Sequence, residues 1–166
     1  MSALTGRAPH AHSRPATSPR LMAVNLDGAF LGCRMAVRLM KARGQGVIVN
    51  IGSAAGVRAV GEMAPYCASK AGLHMLTKSV AAYGGRQGLG IRCNAVLPGS
   101  VETPMVGQLR AATGDAAAAR ARAAAMHPIG FVGQPDDIAG AVLWLVGPEA
   151  RFVTGALFAV DGGLTL

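Results

Sequence analysis

The chain alternates between two kinds of apolar pattern. Runs rich in aliphatic and β-branched residues, Val47 to Ile51, Ile91 to Leu97 and about Ala156 to Val160, are too short for helices and are bounded by glycine or proline. They read as strands. Elsewhere apolar residues recur at helical spacing: Leu26, Phe30, Cys33, Val37 and Met40 mark one stripe of a helix from about Ser18 to Ala42, and Gly28, Gly32, Met35 and Leu39 mark a second. Two apolar faces need two partners, a sheet on one side and, where glycines permit close approach, a neighbouring helix or second subunit on the other. Leu73, Leu76, Val80 and Tyr83 give a core stripe to a helix from about Pro65 to Tyr83, on which His74 simply sits. A further helix opens at Pro135-Asp136-Asp137, with proline in its first turn and carboxylates at the positive end of its dipole, and buries Ile138, Val142 and Leu145. Pro104 to His127 is alanine-rich and helix-prone, interrupted at Thr113-Gly114-Asp115. Strand and helix alternate, so the predicted class is α/β with a parallel sheet of about three strands.

Composition narrows the function classes. At 166 residues the chain can bury one sizeable core, and 51% hydrophobic against 14% charged residues describes a folded protein. The net charge of +8 raises nucleic-acid binding, but thirteen of the sixteen basic residues are arginines scattered without a basic run, and aromatic residues for base stacking make up only 4%. No nucleic-acid partner is expected. Cys33, Cys67 and Cys93 are odd in number and far apart in the sequence, which suits neither a disulfide framework nor a metal site. His10 and His12 have no further ligand nearby, so no metal is expected there either. No run reaches a membrane span and the start has no apolar secretion segment, which makes a cytoplasmic protein the expectation. Met1 to Arg20, with three prolines, three arginines and no acidic residue, reads as a loose tail before a domain at 21–166.

The chemistry concentrates between Val47 and Lys70. A strand ends in Gly52-Ser53, and Tyr66-Cys67-Ala68-Ser69-Lys70 follows on a helix, where residues four apart share a face. A neighbouring ammonium favours the phenolate form of a tyrosine, whose unperturbed pKa of about 10 is otherwise too high for ready proton exchange near neutrality. Ser53, at the strand exit, supplies a hydroxyl to a substrate oxygen.

A serine thirteen residues before Tyr-x-x-x-Lys, with Asn25 in Val24-Asn25-Leu26-Asp27-Gly28, resembles the short-chain dehydrogenase/reductase family. Leu97-Pro98-Gly99-Ser100-Val101-Glu102-Thr103-Pro104-Met105, then Gly133-Gln134-Pro135-Asp136-Asp137-Ile138, then the ending through Val160-Asp161-Gly162-Gly163 extend the resemblance in the family's order over about 21–166. It implies a Rossmann-type doubly wound parallel sheet and hydride transfer between NAD or NADP and a carbonyl or alcohol carbon. Tyr66 is then the acid/base, Lys70 tunes it and reaches the nicotinamide ribose, and Ser53 positions the substrate oxygen. Asn25 sits at a local helix irregularity and holds a relay water. Pro98, Gly99, Val101 and Thr103 contact nicotinamide, and Pro104 to His127 is a substrate lid. The two-striped helix and the Tyr66–Tyr83 helix form a homodimer interface.

Gly84, Gly88 and Gly90 repeat the Gly-x-x-x-Gly-x-Gly spacing of the family's dinucleotide loop, but in the wrong context. A phosphate-cradling loop leaves a strand and enters a helix. Here a helix precedes and a strand follows, so the three read as helix cap and turn. The strand, glycine-rich loop and further strand–helix units that the family carries before the position of Asn25 are not found upstream of it. The expectation is a family domain truncated at its N-terminus, with the choice between NAD and NADP unreadable and either bound weakly. The alternative is a catalytically silent remnant or dimerising module without a dinucleotide phosphate site.

Overall fold

The computed structural model describes residues 17–166. Most of the stretch expected to be a loose tail therefore lies outside the described residues, while Thr17–Met22 is already helix α1. It runs through a π-helical turn, Ala23–Asp27, into α2, Gly28–Lys41, much as the periodicity from Ser18 to Ala42 predicts. Strands β1 (Gly46–Ile51), β2 (Ile91–Pro98) and β3 (Leu157–Val160) form one parallel sheet in the order β1-β2-β3, with Ile48 opposite Cys93 and Leu97 opposite Ala159. Between them come α3 (Ala64–Arg86), α4 (Pro104–Ala111), α5 (Ala116–Ala125) and α6 (Pro135–Val146). None of the described helices is long and apolar enough to cross a membrane.

The central strand explains the layering. β2 is buried continuously from Cys93 to Leu97, which requires cover on both faces. On one face α2 and α3 pack Cys33, Ala81, Val37 and Leu76 against Ile48, Ile91 and Cys93. On the other, α6 sets Leu145, Ile138 and Val142 against Val49, Val96 and Val160. Fully burying a side chain such as Leu145 contributes about 1.5–3 kcal/mol. Two polar residues within β2 are satisfied rather than stranded. Asn94 Nδ2 donates to the Val153 carbonyl at 2.9 Å while its Oδ1 accepts from Ala156 N at 3.0 Å, and the Arg92 guanidinium donates to the carbonyls of Leu145 and Gly147 at the end of α6.

Two readings of the α3 pattern need correction. The helix does not stop at Tyr83; it continues through Gly84 to Arg86, and a Cβ on Gly84 would stand 2.9 Å from the Ile91 carbonyl. Gly84 is there to let helix and strand approach, whereas Gly88 (φ 60°) and Gly90 (φ 64°) do make the turn. The buried stripe is also different from the expected one: Ser69, Leu73, Thr77, Ala81 and Gly84 face inward, and Tyr83 is half exposed. Close approach to the sheet selects small side chains. Tyr83 instead joins Phe30, which is likewise half exposed, in lining an outer groove between α2 and α3.

Candidate active site

Parallel pairing brings the carboxyl ends of all three strands to one edge, where open α/β sheets bind their ligands. β1 leaves that edge through Gly52, whose N–H donates to the Val96 carbonyl at 2.7 Å, and the chain then curls through a single 3₁₀ turn, Ala54–Gly56. Ser53 caps the turn. Its Oγ accepts from Ala55 N at 3.1 Å, which leaves the hydroxyl proton free to donate elsewhere.

α3 begins with Pro65 in its first turn and presents Tyr66 and Lys70 one turn apart, facing the Ser53 curl. Lys70 Nζ lies 5.8 Å from the centre of the Tyr66 ring and donates to the Ile51 carbonyl at 2.9 Å. The ammonium is half-buried, and that burial holds its pKa below the ordinary 10.5. Ser53, Tyr66, Lys70, Pro98, Gly99, Val101 and Thr103 line one cavity of about 420 Å³, together with the apolar Ile51, Met105, Val106 and Ile138. A smaller cavity of about 240 Å³ shares Ser53, Tyr66, Pro98 and Gly99 but turns toward Arg58, Val60, Met63, Met126 and Leu164. Two spaces thus meet at the Ser53 and Tyr66 side chains.

Asn25 stands apart from both cavities. It lies in the π-helical turn before α2, so the irregularity implied by the family resemblance is present, and its Nδ2 donates to Ser69 Oγ at 3.1 Å. Ser69 Oγ in turn donates to the Tyr66 carbonyl at 2.8 Å, which ties Asn25 to the first turn of α3. Thr103 caps α4, accepting from Val106 N at 3.2 Å, so its hydroxyl has a structural duty besides any ligand contact.

Three residues to which the sequence assigned no role at the site, one of them the His74 expected simply to sit on the α3 stripe, shape this edge. His127 Nε2 accepts from Ser100 N at 3.0 Å and its Nδ1 donates to the Ala123 carbonyl at 2.7 Å, fixing a neutral tautomer beneath the Pro98-Gly99 strand end. Glu102 accepts from Arg110 Nη1 at 2.6 Å and from Arg120 Nε at 2.7 Å, so one carboxylate stitches α4 and α5 to the strand exit. The two guanidiniums, Arg110 first, hold the Glu102 carboxyl below its ordinary pKa. His74 is buried with its ring against Gly52 and Gly56. The glycines on either side of Ser53 were the only sequence signal for it.

The chain as a whole is similar to known proteins. The family profile described as enoyl-(acyl carrier protein) reductase matches residues 2–165. The 2-(S)-hydroxypropyl-CoM dehydrogenase 3 of Xanthobacter autotrophicus is 47% identical over 147 residues, 88% of this chain and 56% of its own length. The inactive 2-(S)-hydroxypropyl-CoM dehydrogenase 2 of the same organism is 44% identical over 147 residues, 88% of this chain and 63% of its own length. A crystal structure of a gluconate 5-dehydrogenase from Burkholderia cenocepacia in complex with NADP and tartrate matches at 40% identity with a TM-score of 0.85, covering 96% of this chain and 60% of that one. The chain spans a little over half the length of the relatives it matches. Its fold superposes on a solved member at an identity well above that of fold likeness alone, and the family profile runs along almost all of it: the chain belongs to the short-chain dehydrogenase/reductase family.

Proposed function

We propose that this chain carries the catalytic and nicotinamide-contacting part of an NAD(P)-dependent oxidoreductase of cytoplasmic location, acting on a carbonyl or alcohol carbon. The observation that carries the reading is the shared cavity edge: Ser53 and Tyr66 line both the 420 Å³ and the 240 Å³ spaces, so one substrate oxygen between them would face both hydroxyls. Tyr66 exchanges the proton with that oxygen, Ser53 donates a hydrogen bond to it, and Lys70 stabilises charge on the phenol. Asn25 acts at one remove, through Ser69 and the first turn of α3.

The larger cavity suits the nicotinamide end of a dinucleotide. Pro98, Gly99, Val101 and Thr103 would hold the ring, Lys70 would reach its ribose, and a bound nicotinamide would supply or accept the hydride. No strand–glycine-loop–helix unit for the pyrophosphate occurs among the described residues. Saturable binding of NADH or NADPH by this chain is therefore expected only at about millimolar concentration or above, several kcal/mol short of a micromolar complex at about tenfold per 1.4 kcal/mol. β1 forms one edge of the described sheet, with Ile51 47% exposed at its end, so limited solubility should accompany weak binding. A fluorescence titration with both cofactors decides this, and micromolar saturation would contradict it.

Replacing Tyr66 by Phe removes only the acid/base hydroxyl. Turnover should fall by about 10²–10⁴-fold or more with fold and oligomer unchanged. Activity within a few-fold of the parent would overturn the assignment. A second reading, a silent or dimerising module, is supported by the inactive relative at 44% identity. It predicts no turnover to lose, together with intact self-association.

A further inference from the structure

We propose that His74 is a positioning residue that holds Ser53 from beneath, as a neutral imidazole whose Nε2 accepts the Ser53 backbone N–H. The inference rests on the catalytic reading of Ser53 given above, but the contact itself does not. His74 is 4% exposed, in the middle of α3, with Ser53 N 3.4 Å from its Nε2. Among the described residues it is the one side chain outside the Ser53 turn that bonds to Ser53; the remaining bonds come from Ala55 and Gly56 within the curl.

The curl is built around this ring. A Cβ on Gly52 would stand 2.5 Å from Nε2 and one on Gly56 would overlap Cε1, so both glycines flanking Ser53 are kept small by the imidazole lying between them. Accepting from an N–H leaves Nε2 without a proton, and a neutral ring then carries its proton on Nδ1. Nδ1 has no partner. A buried, unpaired donor is costly, and a leucine would fill the space without that cost. What a leucine lacks is the acceptor for Ser53. Burial first, and then the positive charges of Lys70 and Lys78, keep the ring neutral and so keep the acceptor in place.

The test uses the full chain with ¹⁵N-labelled histidine and needs no turnover. Two-bond proton–nitrogen correlation should show the His74 ring protonated on Nδ1 and bare on Nε2, and the Ser53 amide should exchange slowly with solvent. His74→Gln places an amide oxygen near the position of Nε2 and should preserve that protection. His74→Asn, too short to reach, and His74→Leu should each speed Ser53 exchange by roughly tenfold while β2 amides stay protected. A ring protonated on Nε2, or Ser53 exchange unchanged in the leucine variant, overturns the proposal. Where Tyr66→Phe abolishes a measurable turnover, His74→Leu should lower kcat with KM nearly constant, and His74→Gln should restore it. Should Tyr66→Phe leave activity intact, the catalytic reading fails while the tautomer and exchange measurements still decide the contact.

Discussion

The inner face of α3 and the outer face of α2 invert the usual distribution of polarity. α3 turns Ser69, His74 and Thr77 inward, all buried, whereas α2 turns Leu31, Met35 and Leu39 outward, with Met35 54% and Leu39 66% exposed. Each inversion has a physical cause. Thr77 Oγ1 donates to the Leu73 carbonyl at 2.9 Å and accepts from Asn50 Nδ2 at 2.9 Å, and Ser69 Oγ is likewise bonded on both sides, to the Tyr66 carbonyl and Asn25 Nδ2, which leaves His74 Nδ1 as the buried side-chain nitrogen without a partner among the described residues. The α2 face has no such internal account. Phe30, Val37, Leu76, Val80 and Tyr83 also line a groove of about 330 Å³ between α2 and α3, and apolar surface of this kind is what a proposed contact with a second copy of the chain would cover. Buried polarity persists where hydrogen bonds answer it; exposed apolarity is the surface on which the proposed self-association would act.

The outer face offers the largest effect. Met35→Glu combined with Leu39→Glu should weaken self-association about a hundredfold, roughly 3 kcal/mol, read by sedimentation as a shift toward monomer. A parent chain that sediments as a clean monomer at micromolar concentration would mean that no second copy covers this face. On the inner face, Thr77→Val keeps shape but removes the acceptor for Asn50, and should cost about 1–3 kcal/mol in urea unfolding. An unchanged midpoint would mean that the polar stripe is incidental.

The smallest effect sharpens the inner face through pH. Burial, Lys70 and Lys78 depress the His74 pKa below 6.5 in the folded chain, while the unfolded chain takes up the proton near 6.5. Stability contributed by the neutral ring is therefore complete above that value and declines as pH falls below it, because the unfolded state then binds the extra proton. Urea midpoints compared at about pH 7.5 and about pH 5.5 should drop more for the parent than for His74→Gln. Equal drops would assign the acid sensitivity elsewhere.

Whatever depends on neighbours along the chain is legible in the residues alone. The β-branched run of β1, the Pro65 start of α3, the Pro135-Asp136-Asp137 opening of α6 and the four-residue step from Tyr66 to Lys70 are all set by neighbours within a turn or a strand length, and each stands as read. The order of Ser53, Tyr66, Lys70 and the Pro98-to-Thr103 segment was legible for the same reason, since parallel strands must deliver their exits to one edge. Long-range packing sets which side of α3 is buried, leaves Tyr83 and Phe30 outside the core, and makes Gly84 serve close packing instead of ending the helix. It alone placed His74 against a glycine-flanked turn twenty-one residues earlier and drew Arg110 and Arg120 onto Glu102. These depend on distances between segments remote in the chain, where a missing Cβ or a bare acceptor acquires meaning only from what packs against it.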